Sequence, residues 1–144
     1  MRSMRPALIT LVAAIAVIGT GCGAVGQLKA SEGNAARGKA LFEKATLTNG
    51  PGCGSCHTLA DAGTQGTVGP NLDDAFRYDK LQGFKLSTIR DVVRGQIAYA
   101  TANTGTGNPG MPDNIVRGQD AKDIAVYVAQ CSAVPNCGVT AASG

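Results

Sequence analysis

The sequence has 144 residues, room for one small domain, with 4% aromatic residues, no tryptophan and 20 glycines. Such a chain is short of large apolar side chains for a self-sufficient core, and its glycines raise the conformational entropy that folding must overcome. Its formal charge of +3 comes from 13 basic and 10 acidic residues and drops to +1 without Arg2 and Arg5; no basic stripe is visible, which argues against a nucleic-acid partner.

Residues 1–21 read as a targeting segment rather than as fold. Arg2 and Arg5 make a basic start, and Ala7 to Ile18 is an apolar stretch of 12, too short for an ordinary spanning helix. Gly19-Thr20-Gly21 then leads into Cys22. This run is similar to a bacterial lipoprotein signal, whose cysteine is acylated and becomes the first residue. Gly19 departs from it, standing where an aliphatic side chain is usual. Residues 22–32 read as a flexible tether, and a coil of ten residues spans ~18 Å end to end.

A first helix is predicted from Asn34 to about Thr46, with Asn34 as N-cap and Gly38, Leu41, Phe42 and Ala45 on one face. Gly38 inside a helix costs about 1 kcal/mol relative to alanine, so a close-packing neighbour is expected there. Asn49-Gly50-Pro51-Gly52 ends the segment. Residues 61–70 read as a glycine-rich loop. The stretch 76–84 (FRYDKLQGF) reads as a plain loop or a partner-specific insertion. Ser87 or Thr88 is expected to cap a second helix through about Tyr99, with Ile89, Val92, Val93 and Ile97 on its apolar side. Residues 101–109 form a polar loop, of a kind more often functional than idle, that carries Met111 at its far end. The last helix is expected from Gln119 or Asp120 to about Ala129. Ala121, Ile124, Ala125 and Val128 form its apolar face, Tyr127 widens it, and Asp120 and Asp123 suit its positive N-terminal end. No strand-length alternation stands out. Residues 138–144 are predicted to be a disordered, frayed tail.

Cys53-Gly54-Ser55-Cys56-His57 dominates the chemistry. C-x-x-C-H is the attachment signature of c-type haem: two thiols form thioethers with the porphyrin vinyl groups, and the adjacent histidine ligates the iron. A covalent haem would also supply the missing apolar core. A thioredoxin-like dithiol requires a strand running into the motif within a βαβ framework, and none is present. A four-cysteine zinc site using Cys131 and Cys137 would leave His57 unexplained. Five cysteines are odd for an exported chain, and the count closes if Cys22 takes lipid, Cys53 and Cys56 take haem, and Cys131 pairs with Cys137.

Gly38 with Phe42, the C-x-x-C-H motif, Val68-Gly69-Pro70-Asn71-Leu72, Met111-Pro112 and a terminal helix with Tyr127 follow in an order that resembles a small bacterial class I cytochrome c. The likeness runs from about Gly38 to Tyr127. It implies an all-α fold for a haem domain over residues 33–137, with first and last helices crossing and loops wrapping one covalent haem c. It implies Cys53 and Cys56 as thioether anchors and His57 as an iron ligand through Nε2, its Nδ1–H donating to the Pro70 carbonyl. It implies Met111 as the distal ligand. Met111 is flanked by Pro109-Gly110 and Pro112 and is the one methionine left after residues 1–21. Gly38, Phe42 and Tyr127 belong to the helix crossing. Lys39, Lys44, Lys80 and Lys85 read as a solvated surface rather than a docking face, and Tyr99 is left open between a propionate contact and packing.

The function implied is that of a monomeric, extracytoplasmic single-electron carrier, not an enzyme. Its expected partners are redox proteins, membrane respiratory complexes among them, and the membrane surface through a lipid on Cys22. One alternative is a haem-based ligand binder or peroxidase-like protein with a displaceable Met111. Another is a tethered subunit dedicated to one dehydrogenase complex.

Overall fold

The computed structural model describes residues 32–100 and 110–142. The predicted targeting segment, Cys22, the tether as far as residue 31, the loop 101–109 and the last two residues lie outside them. Four helices carry the described chain: α1 (Ala35–Phe42), α2 (Arg77–Leu81), α3 (Leu86–Ala98) and α4 (Gly118–Cys131). None of them is long and apolar enough to cross a membrane.

The Asn34 side chain accepts the Arg37 N–H at 3.0 Å and starts α1. The helix stops at Phe42, a turn short of the expected Thr46, because the chain there enters a hairpin. Thr46–Leu47 (β1) pairs antiparallel with Gly50–Pro51 (β2), and the Ala45 carbonyl accepts the Gly52 N–H at 2.9 Å. A second short pair, Thr58–Leu59 (β3) with Thr64–Gln65 (β4), turns at Gly63 with φ of 64° inside the expected loop. Two-residue strands are too short to leave an alternation in the sequence. At α3 the expected cap is wrong: Ser87 and Thr88 lie within the first turn, and Lys85 occupies the cap position without a side-chain bond.

Helices α1 and α4 cross with their backbones in contact. A Cβ on Gly38 would lie 2.0 Å from the Asp123 carbonyl oxygen and 2.8 Å from Tyr127 Cβ. Only glycine lets the two backbones meet there. Phe42 and Tyr127 then pack edge to face, with ring centroids 5.8 Å apart. Every residue from Asp123 to Ala129 is buried, because α1 covers one side of α4 and α3 covers another. Asp120 and Asp123 do more than complement the helix dipole. Both bind the Arg37 guanidinium, and Asp123 also accepts the Asn34 N–H and the Gln119 amide, each at 2.8 Å.

Other expectations are corrected by the packing. Glu32, at the end of the predicted tether, pairs with the buried Arg90 of α3 at 2.8 Å. Stretch 76–84 contains α2, and Lys80 reaches from it to the Gln130 and Ser132 carbonyls at the end of α4. This satisfies orphan helix-end carbonyls with a cation. Burial lowers the Lys80 pKa. Lys39 is likewise not a solvated lysine: its ammonium lies 3.2 Å from Asp61 and donates to the Val139 carbonyl at 2.7 Å. Lys44 and Lys85 remain exposed. Tyr99 is exposed rather than packed. The expected frayed tail is ordered over residues 138–142, where the Gly138 N–H donates to Asp61 and the Ala142 N–H to the Ala36 carbonyl. Cys131 and Cys137 are joined in a disulfide just before this segment.

Asp123 and Asp61 make stability depend on pH. Burial alone would raise both carboxyl pKa values. The Asn34 N–H, Arg37 and Gln119 outweigh it for Asp123; the Tyr127 hydroxyl, Lys39 and the Gly138 N–H outweigh it for Asp61, and both groups end below their ordinary 3.8. A carboxylate with a depressed folded pKa contributes its stability above the unfolded pKa and loses it as pH falls through the folded one. Chemical denaturation of the haem-loaded protein should therefore show a flat stability near neutrality and a decline below about pH 4. Asp123→Asn should lower the neutral plateau by about 2 kcal/mol and make the acid decline shallower.

Candidate functional site

The β1–β2 hairpin delivers the chain into a 3₁₀ turn, Cys53–Ser55. The Cys56 and His57 amides both donate to the Cys53 carbonyl, at 3.1 and 3.0 Å. In 3₁₀ geometry side chains three apart eclipse one another, so Cys53 and Cys56 project to one side. Both are free thiols and half-buried, and Cys53 packs against the core. Burial, reinforced by the nearby Cys56, pushes the Cys53 thiol up to about 11.

His57 is the sequence's one histidine. Its Nδ1 lies 2.8 Å from the Pro70 carbonyl oxygen. A carbonyl only accepts, so Nδ1 carries the proton and Nε2 keeps the lone pair that binds a metal. The ring lies against the backbone of Gly69, where a Cβ would come within 2.4 Å of His57 Cε1. The Gly69 N–H in turn donates to the Cys56 carbonyl at 2.7 Å. Gly69 and Pro70 thus hold the ring from its face and its edge.

Met111 is partly buried against the core, as are Leu47, Leu72 and Phe76. Its segment is held at three points. The Asn114 N–H donates to Ile97 at the end of α3 (2.9 Å), and Asn49 binds Ile115 O through its backbone and Asn114 O through its side chain. The hairpin before the two thiols therefore also secures the segment carrying Met111.

The donor set fits a covalent haem. Two free thiols share one side, an imidazole engaged at Nδ1 leaves Nε2 for a metal, a thioether is available from Met111, and Gly69 leaves a cradle for the ring that a Cβ would fill. Cys131 and Cys137 do not belong to this set: they are six residues apart, no histidine follows them, and they are bonded to each other. Asp61 has both of their sulfurs within 4.8 Å, but the disulfide leaves no thiolate to bind a metal. Cys22 lies outside the described residues.

Two structural contributors were not visible as such in the sequence. Asp61 joins the segment after the motif to α1, α4 and the C-terminal segment, through Lys39, the Tyr127 hydroxyl (2.9 Å) and the Gly138 N–H (2.9 Å). Burial and this carboxylate hold the Tyr127 phenol protonated. Thr64 binds the His57 carbonyl at 2.9 Å. The turn signal Asp61-Ala62-Gly63 was the available clue to the second hairpin, but the partners of both side chains lie on elements that sequence spacing does not connect.

A scan of protein-family models matches residues 35–132 to cytochrome c. A search of curated proteins returned no match. Gly69→Ala should cost about 2 kcal/mol in denaturation of the haem-loaded protein, because the added methyl drives the His57 ring off the Pro70 carbonyl. An unchanged unfolding midpoint would refute the close contact.

Proposed function

The chain belongs to the cytochrome c family, whose members carry covalently attached haem c, and on that premise we propose that it is a mono-haem carrier with His57 and Met111 as axial ligands. The family makes it a haem-based electron carrier that works with redox partner proteins. The observation that carries the ligand assignment is the His57–Pro70 bond, which leaves Nε2 as the free nitrogen of the chain's one histidine.

Cys53 and Cys56 would hold the porphyrin edge, and His57 would take one axial position. Met111, the sole methionine beyond the targeting segment, would take the other. When bound, the haem supplies a one-electron ferric/ferrous couple, with a potential raised by thioether ligation. The Pro70 carbonyl orients the imidazole and strengthens it as a donor, while Gly69 keeps the ring from turning. The apolar side chains of Leu47, Leu72 and Phe76 would exclude water from the porphyrin faces.

The N-terminal sequence supports an extracytoplasmic setting in a bacterium. A basic start, a short apolar run and small residues before Cys22 suit lipid attachment at that cysteine, and Glu32 docks on α3 only ten residues later. A domain tied at that distance stays near the membrane surface and would exchange electrons with membrane respiratory complexes.

Met111→Ala should abolish the far-red thioether-to-ferric absorption band and lower the reduction potential. The same spectrum in both proteins, or rapid carbon monoxide binding by the unaltered reduced protein at neutral pH, would overturn Met111 ligation and favour a ligand-binding protein. Cys22→Ser should move the haem protein from the membrane to the soluble fraction and remove the lipid from its intact mass. An unmodified Cys22 thiol in the mature wild-type chain would end the anchoring proposal.

A further inference from the structure

We propose that Thr64 is a positioning residue for the haem-ligating histidine: it holds the His57 backbone so that the ring meets Pro70, and in doing so it tunes the reduction potential. The inference rests on the reading of His57 as an iron ligand.

Three hydrogen bonds fix His57. Its N–H donates to Cys53 O at 3.0 Å, its ring Nδ1–H to Pro70 O at 2.8 Å, and its carbonyl accepts from Thr64 Oγ1 at 2.9 Å. The first and third hold the peptide planes on either side of the residue. The direction in which the ring leaves the backbone follows from them, and the Pro70 bond completes the orientation. Loss of the Thr64 bond would free the peptide plane after His57.

The Thr64 side chain is matched to this task on each of its branches. Its hydroxyl has one proton, given to His57 O at 2.9 Å in preference to the more distant Leu59 O at 3.5 Å, and its lone pair accepts the Leu59 N–H at 3.1 Å. Leu59 is fully buried, so water cannot replace that partner. The methyl lies over Gly54, inside the C-x-x-C turn, where a Cβ would come within 2.3 Å of Thr64 Cγ2. A β-branched side chain has few χ1 options, so the methyl seated on Gly54 aims the hydroxyl at His57. The β3–β4 pairing supplies the register, with Leu59 opposite Thr64. The hairpin continues flush against the motif: a Cβ on Gly66 would lie 2.5 Å from the Cys56 carbonyl carbon, and Thr58 Oγ1 donates to Gly66 O at 2.9 Å.

The link to potential is the Nδ1–H bond. A strong bond to a carbonyl gives the imidazole partial imidazolate character, makes it a better donor and favours the ferric iron. A residue that keeps that bond short lowers the potential. A residue that only packs alters stability and leaves the potential where it was.

The test uses the haem-loaded protein. Thr64→Val keeps the branched shape and removes the hydroxyl; Thr64→Ser keeps the hydroxyl. Thr64→Val should raise the reduction potential and speed exchange of the His57 Nδ1 proton, followed by NMR, by about tenfold or more, while Thr64→Ser stays near wild type in both. If Thr64→Val yields no holoprotein, Thr64→Ala against Thr64→Ser reads the same hydroxyl, and only the alanine variant should shift. A less stable Thr64→Val with wild-type potential and exchange would overturn the proposal, as would serine shifting as far as valine or alanine. Absence of an iron-shifted His57 ring signal in the wild-type protein would instead overturn the ligation reading, so the two failures are distinguishable.

Discussion

Where α1 meets α4, the Gly38 backbone lies against the Asp123 carbonyl with no room for a Cβ, and the remaining architecture is referred to that crossing. The Asp123 carboxylate binds the Asn34 N–H and Arg37, so the start of α1 is fixed to α4. One helical turn further along α4, Tyr127 packs on Phe42 and passes its hydroxyl to Asp61. Asp61 follows the haem motif by four residues. The crossing thus locates the segment that carries His57 through two buried carboxylates and one phenol. The burial of Asp123 and Tyr127 makes these bonds costly to break, because those two side chains cannot fall back on water.

The same economy appears in the lysines. Lys39 and Lys80 are internal ties, one joining α1 to Asp61 and the C-terminal segment, the other joining α2 to the end of α4. Two large side chains of α2 stay exposed, Tyr78 and Leu81, at 72% and 78%, beside the exposed Arg77. Stretch 76–84 is therefore a small helix anchored from behind by its one buried ammonium. Two of the four lysines that the sequence reads as a solvated surface, Lys39 and Lys80, are instead tied to partners inside the fold.

At the site, selectivity comes from groups that can act in only one sense. Pro70 offers a carbonyl, an acceptor alone, so Nδ1 is the donor in their bond and Nε2 is the ring nitrogen left for a metal. Gly69 admits the ring because it has no side chain to oppose it. The two thiols share a side because a 3₁₀ turn eclipses them. None of these features needs a large core, which accords with a chain of 4% aromatic residues that receives its bulk from a covalent group.

Much of this was legible in the linear order of residues. C-x-x-C-H and the periodic apolar faces in three helices pointed to a covalent haem and the all-α class, because those features depend on local spacing. Helix ends were less legible: α1 stops at Phe42 because Ala45 is needed by Gly52 across a hairpin, a demand that comes from outside the helix. The ordered C-terminal segment, the roles of Lys39, Lys80, Asp61 and Thr64, and the ring contact with Gly69 were decided by tertiary structure alone. A polar side chain is indifferent to sequence distance and takes whichever partner packing brings within 3 Å; Asp61 and Tyr127, 66 positions apart, become neighbours only once two helices have crossed at a glycine.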